Sequence, residues 1–269
     1  MIKTLFGLLL LCFTSFTMAE TTLTFAVVPQ QSASKLAQLW GPIVNKISAE
    51  SGLKVQFTTA PDIPTFEKRL AEGKYDIAYM NPYHYVVFHQ SAGYQAIAKA
   101  RDKRIKGIIV VGKNSEINSF NDLNNSTLAF PAPGAFAATI LTQSDLTTNN
   151  VNFESKYVSS HDSVYLTVAK GIYPAGGGVL RTFNNVSPDI SAQLKILSTT
   201  KGYTPHAIAT HPRVKAQQSK KIQQALVNLE NSESGRTLLK NIKINGFESA
   251  KNADWNDVRE LNLSIEIVR

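Results

Sequence analysis

The chain has 269 residues, 43% of them hydrophobic and 18% charged, with a formal net charge of +8 and one cysteine. This composition excludes a disordered chain, and the length suffices for one large domain or two lobes of ordinary size. A single cysteine excludes a disulfide framework and a thiolate metal site.

The N-terminus reads as an export signal. Met1–Thr4 is a short basic start, Leu5–Phe16 is apolar, and Thr17-Met18-Ala19 places small residues before a cut between Ala19 and Glu20. The apolar run is short of the roughly 20 residues that span a bilayer. Residues 1–19 are expected to be a cleaved signal, with an uncleaved anchor as the alternative. Cys12 lies inside the apolar run, behind Leu11, where a lipid attachment site is not expected. It would leave with the signal, as would Lys3, giving a mature chain of charge +7.

Taken in chain order, short apolar runs alternate with helical patterns. Leu23–Val28 reads as a buried strand ended by Pro29. Ser34 is the expected cap of a helix carrying Leu36, Leu39, Trp40, Ile43, Val44 and Ile47 on one face, with Pro42 inside it as a potential kink and Gly52 as its stop. Lys54–Thr59 is a second strand. Pro64–Ala71 is a short helix followed by Gly73, and Asp76–Met80 is a third strand leading through Asn81-Pro82 into another helix. Tyr94–Ala100, Gly107–Val111 and Thr127–Phe130 are further strands, and a helix is expected from Ala135. Val151–Val158 is a strand, Ser160–Lys170 a helix, and Gly176–Leu180 and Lys195–Ser198 are strands. The tail is read as helices at Ser219–Leu229, Ser232–Asn241 and Asn252–Leu261. Strands alternating with crossover helices imply a mainly parallel sheet covered on both faces.

The chemistry of catalysis does not assemble. There is no GxSxG elbow and no HExxH, and the five histidines are scattered without metal-ligand spacing. Gly176-Gly177-Gly178 lacks the lysine and hydroxyl residue of a P-loop. No catalytic residue, metal ligand or cofactor is therefore expected. The densest basic run, Arg101–Lys106, reads as a solvated face and a field favouring anions rather than a nucleic-acid surface.

Four segments carry a family resemblance: Phe25–Gln30 with Trp40-Gly41-Pro42; Gly73–Pro82; Asn121-Asp122-Leu123 leading to Pro131–Gly134; and Ser159–Val164. In order and spacing they resemble the phosphate, phosphite and phosphonate-binding proteins of ABC importers. The resemblance implies an α/β, two-lobed, Venus-flytrap fold of the type II kind, each lobe a mixed or mainly parallel sheet flanked by helices. It places the chain in the periplasm as a non-enzymatic monomer that hands a small anionic ligand to a membrane permease. A sensor histidine kinase as the membrane partner is the alternative, and a secreted hydrolase a more distant one. Lobe one is expected from residues 20–103 with 204–269, and lobe two from 104–203.

The resemblance also implies a ligand site in the cleft, where the ends of strands and the starts of helices meet. The turn at Gly134 leads into a helix whose first amides attract an anion. Members of the family carry hydroxyl residues there, whereas this chain has Ala135, Phe136 and Ala137, with Thr139 the nearest hydroxyl. His161 matches a family histidine and is expected to donate to an anionic oxygen, which would raise its pKa. Arg181 stands where amine-binding relatives carry an acid, and it suits a carboxylate or another oxyanion. Asn81 and Tyr83 are expected to line the cleft from lobe one, with Gln30, Gln31 and Ser32 at its mouth.

Overall fold

The computed structural model describes residues 21–263. The expected signal, its expected cut site and Cys12 fall outside the described residues. The chain begins with β1 (Leu23–Val27), α1 (Ala33–Ser51), β2 (Val55–Thr58), α2 (Ile63–Ala71), β3 (Ile77–Met80), α3 (Pro82–Ser91) and β4 (Gln95–Ala100). It then crosses to β5 (Gly107–Gly112), β6 (Ser126–Phe130) and a π-helical stretch, Phe136–Leu141, continuous with α4 (Thr142–Thr148). Next come β7 (Phe153–Tyr157), α5 (His161–Ala169), β8 (Ala175–Val179), α6 (Leu180–Phe183), α7 (Pro188–Ser191) and β9 (Leu194–Thr199). After a second crossing the chain forms β10 (Ala207–Thr210), α8 (Ala216–Asn228), α9 (Glu233–Asn241), β11 (Phe247–Ser249) and α10 (Asn256–Arg259).

Two sheets result. One has the order β11-β4-β10-β3-β1-β2, and the other β7-β6-β8-β5-β9. Both are mixed. β1 pairs in parallel with β2 and β3, while β10 runs antiparallel to β3 and β4. In the second sheet β6 is parallel to β7 and β8, while β5 is antiparallel to β8 and β9. The mainly parallel expectation holds only for the strands linked by crossover helices. β10 returns from the other lobe and enters the first sheet from the cleft side, so it must run against its neighbours.

The two crossings pair with each other. Ile105 and Tyr203 form an antiparallel bridge, with Ile105 N–H to Tyr203 O at 2.8 Å and the reciprocal bond at 3.0 Å. The lobe-one core continues across the boundary into Ala132, Ala135–Ala138 and Val179 of lobe two. The fold is thus a closed, two-lobed α/β structure.

Several local expectations shift for physical reasons. Helix α1 is capped by Ser32 rather than Ser34, its hydroxyl accepting from Lys35 N–H at 3.3 Å. The helix runs through Pro42 without a break. Pro42 and Gln38, whose carbonyl loses its partner, are both exposed, so water can satisfy that carbonyl. The helix expected over Asn252–Leu261 divides into a 3-10 turn, Asn252–Trp255, and α10. Trp255 is fully buried and its Nε1–H donates to Pro205 O at 2.9 Å, which turns the chain inward. β10 and β11, short and without alternation, are strands that the sequence pattern does not announce.

Candidate ligand-binding cleft

The cleft is built from strand ends and helix starts of both lobes. From lobe one come Gln30, just after β1, and Asn81, which caps α3 by accepting from His84 N–H at 2.8 Å. From lobe two come the Gly134 turn, His161 at the first position of α5, and Arg181 in α6. These groups bond to one another across the boundary. Asn81 Nδ2 donates to Gly134 O at 3.0 Å, the His161 amide to Gln30 O at 2.9 Å, and the Arg181 guanidinium to Gln30 Oε1 at 2.6 Å. Ser32 N–H donates to Asp162 Oδ2 at 3.4 Å.

Phe136 closes the space. It is 1% exposed and meets Tyr203 of the hinge edge-on, with ring centroids 5.7 Å apart. Val28, Gln30, Asn81, His161 and the Ala135–Ala138 stretch enclose only about 10 Å³, room for roughly one water. The first amides of the Phe136 helix have no partner within it, as at any helix start. The one nearby hydroxyl is committed elsewhere: Thr139 Oγ1 donates to Ala132 O at 2.8 Å.

His161 is neutral in this environment. Burial, then the Arg181 cation, push its pKa down to about 3. The expected rise supposed a neighbouring anion, but the charged neighbour is a guanidinium. Its Nδ1 is engaged by Thr182 Oγ1 at 3.0 Å, so contact with a ligand falls to Nε2. Burial raises the pKa of Asp162, whose Oδ1 is enclosed without a partner.

The sequence-predicted residues therefore divide. Asn81, Gly134, Ala135, Phe136, His161 and Arg181 converge. Thr139 lies beneath the turn with its hydroxyl facing the backbone. Tyr83 stands apart: it lines neither this space nor the larger cavity beside it, and its hydroxyl donates to Leu263 O at 3.3 Å.

Sequence reasoning passed over His206 and Tyr203, which lie in the return crossing where no periodic pattern marks a residue. His206 stacks on Tyr79 with centroids 4.8 Å apart, and Arg181 lies over the same tyrosine ring at 6.0 Å. Among the described residues no cluster of three or more metal-ligating side chains occurs, and no helix is long and apolar enough to cross a membrane.

Two α/β lobes, joined by paired crossings and closing polar groups between them, define a two-lobed binding protein. Residues 25–255 match the family described as ABC transporter, phosphonate, periplasmic substrate-binding protein, and the chain belongs to that family. The family is defined by substrate binding for transport and not by catalysis, in line with the non-enzymatic reading of the sequence. The phosphate-import protein PhnD of Mycolicibacterium smegmatis is 23% identical over 175 residues, covering 58% of this chain and 54% of that protein. The matched part thus spans about half the length of that curated relative. In fold the chain is similar to the binding-protein component of an ABC phosphonate transporter from Pseudomonas aeruginosa (TM-score 0.83, 16% identity, 90% of this chain and 86% of that one). It is also similar to PhnD1 from Prochlorococcus marinus in complex with methylphosphonate (TM-score 0.81, 17% identity, 90% and 97%).

Proposed function

We propose that this protein is a periplasmic substrate-binding component of an ABC importer that captures a small oxyanion between its lobes and presents it to a membrane permease. The observation that carries this reading is the exchange of polar groups across the cleft, Arg181 to Gln30 and Asn81 to Gly134. Each of these groups loses its partner when the lobes part, and an oxyanion supplies acceptors for Arg181, Asn81 and His161 together. Of the described residues, 21–103 with 204–263 and 104–203 move as two bodies about the Ile105–Tyr203 bridge, and Phe136 withdraws as they open. With the hydroxyl residues replaced by Ala135, Phe136 and Ala137, the cleft offers fewer donors to a phosphoryl group than its relatives do. A phosphonate, phosphite or phosphate and a carboxylate are both in range.

The test is thermal stability of the mature chain, from Glu20, against phosphate, phosphite, alkyl phosphonates and carboxylates. A ligand of the folded state adds about 2.7 kcal/mol at a hundredfold excess over its Kd. His161→Ala or Arg181→Ala should weaken the binding of a hit by about 1.5–3 kcal/mol if each makes a charge-assisted bond. A carboxylate-only response would move the substrate class, and silence across the panel would sink the oxyanion reading. Retained binding without transport by a reconstituted permease would instead place the chain beside a membrane histidine kinase.

A further inference from the structure

Beside the collapsed cleft lies a much larger cavity of about 670 Å³, sharing Ile105 and Val179 as walls. Three separate segments deliver cations to it: Lys103, Arg104 and Lys106 from the first crossing, Arg181 from lobe two, and Arg236, Lys240 and Lys243 from α9 and the turn after it. No carboxylate lines it. Among the described residues only Arg104 of these seven is ion-paired, to Asp257 at 2.7 Å. The floor includes His206, 2% exposed, whose Nε2 is buried without a partner. Between the charges the walls are apolar, with Leu180, Pro205 and Ile244.

We propose that this cavity is a second ligand site, for an organic molecule carrying two or more phosphate groups. Six cations without carboxylate partners, five of them exposed and Arg181 half-buried, ring the cavity, and a multiply charged anion gains from their combined field more than a single oxyanion does. The apolar walls select a ligand with a carbon body, and the volume falls in the range of organic-ligand pockets. The enclosing residues come from the hinge and from both lobes. An occupant therefore bonds to both lobes and favours the closed arrangement. The cavity shares Arg181 with the cleft, whereas Lys240 and Lys243 line the cavity alone, so a test at those two lysines reads the cavity apart from the oxyanion reading.

Calorimetric titration of the mature chain with fructose 1,6-bisphosphate, with inorganic phosphate and fructose as controls, tests it. The bisphosphate should bind more tightly than either control. Its Kd should rise at least tenfold in the double variant Lys240→Glu, Lys243→Glu, whose fold is checked by circular dichroism, and should stay unchanged in His161→Ala. Three outcomes would overturn the proposal: bisphosphate binding no tighter than that of inorganic phosphate, binding indifferent to the double charge reversal, or binding lost in His161→Ala. The last would place the bisphosphate in the cleft, and a cleft without oxyanion affinity beside a working basic cavity would separate failure of the first reading from failure of this one.

Discussion

Phe136 is the residue on which the cleft turns. Where the family resemblance implies hydroxyl residues that point donors at a ligand, a phenyl ring points none and fills the space. Here it is enclosed by Tyr203 and the lobe-one core. Truncating it to alanine removes a buried ring that the surroundings cannot fully collapse to replace, at a cost of about 3–5 kcal/mol. Phe136→Ala should lower the unfolding free energy from chemical denaturation by that much while enlarging the cleft, so a ligand that adds stability to the variant more than to the parent would show that the ring competes for the site. Equal ligand responses would mean that Phe136 packs the closed state without limiting what enters. His161 was legible as a candidate because it stands in a motif segment, and Arg181 because it departs from the acidic residue that the family resemblance implies there. Tyr83 was not separable from them, because a short helix with apolar residues on every side gives no sign of which way its tyrosines face.

At the scale of elements, the packing on strand β8 explains the triple glycine, which the sequence reads as part of a strand and not as a phosphate loop. A Cβ on Gly177 would lie 1.9 Å from Ala138 O and 2.7 Å from the Phe130 ring, and one on Gly178 would lie 2.5 Å from the Tyr165 hydroxyl. The strand is bare so that the π-helical stretch and α5 can press onto it from its two faces. Gly177→Ala should therefore destabilise by about 1–3 kcal/mol through overpacking against backbone. Gly112, at the end of β5, is the contrast: beyond its chain neighbours, a Cβ there would come no closer than 3.8 Å, to Ser115 Cβ. Gly112→Ala should leave stability within about 1 kcal/mol of the parent, on the stabilising side, because it cuts the freedom of the unfolded chain without a clash. Urea denaturation of the pair reads both, and equal effects in the two variants would refute the packing account of β8.

Among the described residues the lobes are held together by a few polar bonds, by the Arg181 guanidinium over the Tyr79 ring and by the packing of Phe136 into the lobe-one core. The shortest of the bonds links Arg181 to Gln30 Oε1. Gln30→Ala removes the acceptor, and a hydrogen bond to a charged group contributes about 1.5–3 kcal/mol. Small-angle scattering should then show a larger radius of gyration for the variant than for the parent at equal concentration. An unchanged radius would mean that Phe136 and the shared core, not the polar exchange, keep the lobes together. The +8 charge also gains a location at this scale: part of it gathers at the hinge, on one cavity fed by three segments that lie far apart in the chain.

Local pattern by itself determined the alternation of strands and helices, the helix stop at Gly52, the start of α3 at Asn81-Pro82, and the beginning of α5 after Ser160. These follow from periodicity, capping chemistry and backbone freedom, which act within a few residues. The motif order determined the family. Tertiary structure alone decided the direction of β10, the existence of β11, the split of the last helix at Trp255, and the neutral state of His161. It alone brought Lys103, Arg181 and Lys243 to one cavity. Strand direction depends on which lobe the chain returns from, protonation on burial beside a guanidinium, and a charge cluster on the approach of distant segments, and none of these is written in the spacing of neighbouring residues.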